Sequence, residues 1–171
     1  YAASKKAAET LCYTFHSLYG INVAIPRYFT VYGPAGRPDM SIFRFIRWIT
    51  EGETVTVYGD GSQSRDFTYV DDIARGTILA LALPGYEIVN LGGDRPASLN
   101  AVIKILEDLV GTKAVVDYQP PQSVDVPSTW ADISKANRLL KWAPKTSLQD
   151  GLSSCVEWYR MNRKWARGLT L

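Results

Sequence analysis

With 171 residues, the chain is long enough to bury one core and too short for two ordinary domains. Its 19 basic and 17 acidic residues are interspersed and leave a net charge of +2, so no basic stripe marks a nucleic-acid surface, and 46% hydrophobic residues exclude a disordered polar tail. Cys12 and Cys155 lie far apart, His16 is the sole histidine, and no apolar run approaches the roughly 18 residues that span a bilayer, which argues against a disulfide framework, a metal centre and a membrane partner. The expectation is a folded cytoplasmic protein.

In chain order, Ala8, Leu11, Cys12, Phe15, Leu18 and Tyr19 recur at helical spacing and Gly20 supplies a stop, which predicts a helix over 1–19 whose start lies upstream. Ile21 to Ile25 reads as a buried strand, after which Pro26 confines the chain to a loop or a sheet edge. T-V-Y-G-P-A-G-R-P-D at 30–39 packs glycine and proline into a rigid loop, followed by a helix marked by Ile42, Phe45, Ile46 and Ile49 and ended by Gly52. Thr54 to Tyr58 alternates as a strand, Gly59 to Ser62 turns, and Asp66 to Val70 is extended again before Asp71 and Asp72 cap a helix to about Leu83. Ile88 to Leu91 forms another strand, Ser98 to Val110 a helix and Ala114 to Tyr118 a strand. A proline-broken loop over 119–128 leads to a short helix at Ile133 to Leu140, and Ser147 with Asp150 makes a capping box for a last helix through Trp158. The alternation predicts an α/β fold around a mostly parallel sheet.

Tyr1 and Lys5 stand one helical turn apart, about 5 to 6 Å between side-chain roots. An ammonium there favours the phenolate and makes tyrosine a usable base near neutral pH. An ordinary surface pair is the alternative, and this spacing alone does not choose between them.

Seven segments in register carry more information: Y-A-A-S-K at Tyr1, R-Y-F-T-V-Y-G-P at Arg27, G-R-P-D-M at Gly36, V-Y-G-D-G at Val57, R-D-F-T-Y-V-D-D at Arg65, N-L-G-G at Asn90 and T-W-A-D-I-S-K-A at Thr129. In order and spacing the chain resembles the extended short-chain dehydrogenase/reductase family, the nucleotide-sugar epimerases and dehydratases, across essentially its whole length. The resemblance implies the C-terminal part of a Rossmann-type parallel sheet plus a small α/β substrate-binding domain. Residues 1–30 and about 65–95 would be the Rossmann-associated elements, and about 31–64 and 96–171 mainly the substrate-binding region. The family's glycine-rich dinucleotide turn and its catalytic Ser or Thr precede the Y-x-x-x-K helix, so the chain looks like a C-terminal half without the NAD-binding half. The fragment alone is then expected to be inactive, with apolar surface exposed near Tyr1 and a tendency to associate or lose order there.

For individual residues, the resemblance implies that Tyr1 removes the proton of the sugar 4-hydroxyl while hydride passes from C4 to NAD. Lys5 would bind the nicotinamide ribose and keep Tyr1 ionised. Tyr28 and Phe29 would lie near nicotinamide and sugar, unless one of them packs the core. Arg65 would clamp the substrate diphosphate, and Tyr58 would lie near the uracil. Asp125 would accept from the nucleotide ribose, and Gln122 stands where hexose epimerases often place an arginine. Thr30 and Arg37 match the uronate 4-epimerases, in which these residues recognise the sugar carboxylate; Ala35 replaces a bulkier residue there. The implied activity is an NAD-dependent UDP-sugar 4-epimerase, closest to the UDP-glucuronate branch. UDP-glucose 4-epimerase, a nucleotide-sugar 4,6-dehydratase and a non-catalytic UDP-sugar-binding module are the alternatives. The family also implies a homodimer for the complete enzyme. His16 reads as a helix-surface residue, and Trp158 and Trp165 as packing on one face.

Overall fold

The computed structural model describes residues 1–122 and 125–170. The first helix, α1 (Ala2–Tyr19), stops where the Gly20 amide bonds to the His16 carbonyl at 2.8 Å with Gly20 at φ +65°, a left-handed conformation that glycine adopts without strain. Only Glu9 of this helix is buried. Strand β1 (Val23–Tyr28) starts two residues later than its apolar run suggests and continues through Pro26. It pairs in parallel with β6 (Tyr86–Leu91), from Val23↔Tyr86 to Tyr28↔Leu91. Proline is tolerated because β6 is the only strand partner of β1 among the described residues.

The other pairs run β2 (Thr30–Tyr32) parallel to β5 (Phe67–Tyr69), and β3 (Val55–Tyr58) parallel to β8 (Val116–Gln119). Antiparallel to each other are β4 (Ser64–Arg65) and β7 (Ala97–Ser98). The predicted α/β class and its mostly parallel pairing are thus present. The helices are α2 (Ser41–Glu51), α3 (Val70–Ala80), α4 (Leu99–Val110), α5 (Ser134–Leu140) and α6 (Leu148–Ala166).

Two apolar clusters hold these elements. The larger joins α2, α4 and α6 to β3 and the inward rings of Tyr32 and Phe67. Leu106, Val102 and Leu152 are wholly shielded there. The smaller packs Ile73 and Ala80 of α3 against Val89 and Leu91 of β6 and against Leu140 and Trp142. Ser98 caps α4 by accepting from the Ala101 amide at 3.2 Å, and Ser147 accepts from the Asp150 amide at 3.1 Å, the predicted cap of α6. Helix α6 continues past Trp158 to Ala166, because Tyr159 and Ala166 extend its buried stripe, and Trp158 meets Trp165 edge-on at 5.7 Å.

One sequence expectation is corrected here. Asp71 and Asp72 do not cap α3; Tyr69 occupies that position. Asp72 is instead buried in the first turn, where its Oδ2 accepts from the amides of Lys145 at 3.0 Å and Thr146 at 2.9 Å and its Oδ1 from Arg75 Nη2 at 2.7 Å. Burial opposes its charge, but the Thr146 amide, the Arg75 guanidinium and the Lys145 amide outweigh that cost and hold its carboxyl below the ordinary value. Asp72 therefore ties the segment before α6 to the first turn of α3.

Candidate active site

A cavity of about 400 Å³ opens where β1 ends and β2 begins, with α2 and α6 forming its wall. Strand ends at a crossover are where an α/β sheet leaves side chains free of hydrogen-bonded partners. Five sequence candidates, Tyr1, Tyr28, Phe29, Thr30 and Arg37, line it together. Lys5 stands beside Tyr1, its Nζ 5.4 Å from the ring centroid, and the Lys5 amide bonds to the Tyr1 carbonyl at 3.1 Å. The predicted one-turn spacing thus places the ammonium against the phenol ring, which is 94% exposed.

The chemistry of the other tyrosines at this cavity differs. Burial raises the phenol pKa of Tyr32 and Tyr159 well above its ordinary value, so neither serves as a base. Thr77 gives its hydroxyl proton to the Ile73 carbonyl at 2.7 Å, so the Tyr28 phenol donates to Thr77 Oγ1 at 2.9 Å and its proton is committed. Tyr1 is the most exposed of the four tyrosines, and among the described residues its hydroxyl makes no hydrogen bond. The cavity is otherwise largely apolar, and burial pushes the Cys155 thiol in its wall up to about 12, which makes that group inert.

Helix α1 makes its polar contacts with the sheet at Glu9. Arg27 of β1 grips Glu9 through two bonds of 2.7 Å each, Nε to Oε1 and Nη2 to Oε2, and Lys6 adds a third at 2.7 Å. First Arg27 and then Lys6 pull the Glu9 carboxyl down to about 2. Tyr86 of β6 donates to the Glu9 carbonyl at 2.9 Å. His16 sits at the exposed helix end, its Nδ1 2.7 Å from the Ile21 carbonyl, as a surface residue.

Phe29 is fixed by its amide on the Leu91 carbonyl at 3.2 Å, with its ring beside Gly92. Thr30 opens β2 in register with Phe67. Arg37 is 75% exposed and bonds side-on to Asp39, Nε to Oδ1 at 3.0 Å and Nη2 to Oδ2 at 2.5 Å.

The remaining candidates group elsewhere. Arg65, whose side chain is mostly shielded, bonds through Nη2 to Asp125 and through Nη1 to the Ser64 carbonyl at 2.7 Å. The Asp125 amide bonds to the Gln122 carbonyl at 3.1 Å, which keeps those two adjacent. Tyr58 ends β3, and its carbonyl accepts from Gln63 Nε2. Beyond it lies an open hollow of about 590 Å³ lined by Gly59, Asp60, Tyr118, Gln119 and Pro121, in which Tyr58 itself has no part. The pairing of Arg65 with Asp125, the Tyr118 wall of this hollow and the Cys155, Trp158 and Tyr159 wall of the first cavity escaped sequence reasoning. The two walls come from elements distant in sequence, and only the turn V-Y-G-D-G pointed toward the second.

Among the described residues no group of His, Cys, Asp and Glu could hold a metal ion, and no helix is long and apolar enough to cross a membrane. For a dinucleotide, the donor set is suitable at one end: Tyr1 lines the cavity together with the exposed Tyr28 and the half-buried Phe29, and the Lys5 ammonium stands beside Tyr1. Residues for a pyrophosphate, a glycine-rich turn opening a helix, do not occur in the sequence.

Comparison with known proteins matches residues 1–92 to the model of the NAD dependent epimerase/dehydratase family. A UDP-glucuronate 4-epimerase of Thermodesulfobacterium geofontis (strain OPF15) is 58% identical over 163 residues, 95% of this chain and 50% of that protein. The Bacillus cereus UDP-glucuronic acid 4-epimerase, solved in complex with UDP-glucuronic acid and NAD, superposes with a TM-score of 0.89 at 40% identity, covering 94% of this chain and 52% of that one. The UDP-glucose 4-epimerase of Thermotoga maritima, solved with UDP-glucose, reaches a TM-score of 0.92 at 34% identity, covering 95% of this chain and 54% of that one. The chain spans about half the length of the curated relatives it matches.

Proposed function

The chain belongs to the NAD dependent epimerase/dehydratase family, and on that premise we propose that it is the substrate-binding half of an NAD-dependent UDP-glucuronate 4-epimerase. One observation carries the reading: a phenol next to an ammonium, and a threonine with an arginine of the type that grips carboxylates, converge on one cavity. In this reading residues 1–30 and about 65–95 complete the Rossmann-type sheet, and 31–64 with 96–171 bind substrate. The exposed apolar side of α1 and the edge of β1 that has no strand partner among the described residues support association with a further half, and a homodimer of the complete enzyme.

Tyr1 takes the proton of the sugar 4-hydroxyl, and Lys5 holds the phenolate and a ribose hydroxyl. NAD, when bound, supplies two-electron oxidation at C4 and its reversal. The 4-keto sugar turns over against Tyr28 and Phe29, so that the other face of C4 is presented for the return of hydride, and Tyr1 gives its proton back to O4. Thr30 and Arg37 hold the carboxylate. A 4-keto uronate is a β-keto acid, so fixing its carboxylate keeps the C5 bond out of line with the ketone and restrains loss of carbon dioxide. Arg65 binds the diphosphate, with Gln122 beside it, Asp125 accepts from the ribose, and Tyr58 borders the uracil. Because Arg65 and Asp125 already bond to each other, nucleotide entry exchanges that ion pair for two ligand contacts. The chain alone lacks a pyrophosphate site and is inactive in this account.

A second reading, UDP-glucose 4-epimerase, draws on the Thermotoga maritima likeness. Proton NMR of the anomeric signals decides between them. Protein expressed from the start codon of its gene, given NAD and UDP-glucuronate, forms UDP-galacturonate. Conversion of UDP-glucose to UDP-galactose alone would remove the carboxylate role of Thr30 and Arg37 and leave Tyr1 and Lys5 in theirs.

A further inference from the structure

We infer that Asp39 is a positioning residue for substrate choice: it holds the Arg37 guanidinium by its side edge so that the opposite edge is presented to a sugar carboxylate. The inference rests on the proposed role of Arg37. A guanidinium offers two forks to carboxylates, one formed by Nε with one terminal nitrogen and one formed by both terminal nitrogens. Asp39 takes the first, with Oδ1 on Nε at 3.0 Å and Oδ2 on Nη2 at 2.5 Å. Among the described residues Nη1 makes no hydrogen bond, so the second fork stays open. Arg37 lines the cavity and Asp39 does not, so the aspartate holds the arginine from outside the cavity lining.

The backbone makes this placement reproducible. The Met40 amide bonds to the Arg37 carbonyl at 3.2 Å, so a turn sets Asp39 two residues along and next to its partner, and the Arg44 amide on the Met40 carbonyl at 3.1 Å anchors that turn to the start of α2. Arg37 above all lowers the Asp39 carboxyl, and the charge persists through the neutral range. Both side chains are more than half exposed, and an exposed pair adds little to stability. What the pair contributes is direction. An unrestrained arginine side chain samples many rotamers, and fixing its plane beforehand removes an entropy loss from ligand binding.

The opposite account is that Asp39 competes with substrate, occupying Arg37 as an internal carboxylate. The two differ in sign. Calorimetric titration of the protein expressed from its start codon measures binding of UDP-glucuronate and UDP-glucose to the parent, to Asp39→Ala and to Arg37→Ala. Asp39→Ala should weaken UDP-glucuronate about 5- to 10-fold and leave UDP-glucose within about twofold, since only the carboxylate loses an oriented partner. Asp39→Asn, which keeps one acceptor, should fall between parent and Ala. Tighter UDP-glucuronate binding by Asp39→Ala, or equal weakening of both ligands, overturns the inference, the first in favour of competition and the second in favour of a brace for the loop. Arg37→Ala separates this from the underlying role: if it leaves the preference between the two ligands unchanged, the carboxylate reading of Arg37 itself falls.

Discussion

Helices α1 and α4 carry similar apolar repeats, yet they end in opposite environments. In α4, Val102, Ile103 and Leu106 are buried between α2 and α6. In α1, Leu11, Phe15, Leu18 and Tyr19 all lie exposed, and the helix reaches the sheet through the polar Glu9 and the ring of Tyr13, which meets Tyr86 of β6 edge-on at 5.2 Å. Stability thus resides in the α2, α4 and α6 cluster, while Tyr1 and Lys5 ride on a helix held to the sheet by the Glu9 contacts and the Tyr13 ring. The wall of the cavity is part of the buried cluster, and its proposed base is mounted on the more exposed helix. Amphipathic pattern alone could not distinguish the two helices, because the pattern specifies a face to be covered and not what covers it.

Substitutions can break this contrast, and they are ordered here by expected effect. Tyr1→Phe should lower kcat of the protein expressed from its start codon by about 10²- to 10⁴-fold, the usual worth of a positioned base, without moving its urea midpoint. Leu106→Ala should cost about 2 to 5 kcal/mol in urea unfolding, because its cavity would open in a fully shielded site. Gly93→Ala should cost about 1 to 3 kcal/mol by the same measurement, since its new Cβ would lie 2.4 Å from the Phe67 carbonyl oxygen, a backbone atom that cannot swing aside. In the chain of residues 1–171 by itself, Leu18→Ala should change stability by less than about 0.5 kcal/mol. A loss for Leu18 as large as that for Leu106 would erase the distinction between the two helices.

The Glu9 anchor sharpens it further. Its carboxyl is held down to about 2 in the folded chain, against an ordinary value of 4.5, by Arg27 and then Lys6. The anchor's contribution is therefore complete above about pH 4.5 and is lost as pH falls toward 2. Hydrogen exchange should accelerate in α1 across that window, ahead of α4, and Glu9→Gln should reproduce the acceleration at neutral pH. Equal exchange in both helices would contradict the role of the Glu9 carboxylate as an anchor of α1.

Much of the fold is legible in the sequence because local chemistry agrees with it. Gly20 and Gly52 end their helices in left-handed conformations, and Ser147 caps α6. The grouping of Tyr1, Tyr28, Phe29, Thr30 and Arg37 also follows, since β1 and β2 adjoin in the chain and α1 leads into β1. What escaped depends on long-range partners. Asp72 looks like a cap by position, but the amides of Lys145 and Thr146, more than seventy residues away, claim its carboxylate. Arg65 and Asp125 each read as a ligand for the nucleotide, and their mutual bond across about sixty residues has no local signature. Trp158 joins the cavity wall because α6 folds back over α2, a matter of packing that no motif encodes.

The central claim is that the cavity joining Tyr1 to Arg37 selects a uronate. An equimolar mixture of UDP-glucuronate and UDP-glucose, given with NAD to the protein expressed from its start codon and followed by the anomeric proton signals, tests it in one tube. The account predicts that UDP-galacturonate appears first and that UDP-glucose is left largely unchanged; faster formation of UDP-galactose would contradict it.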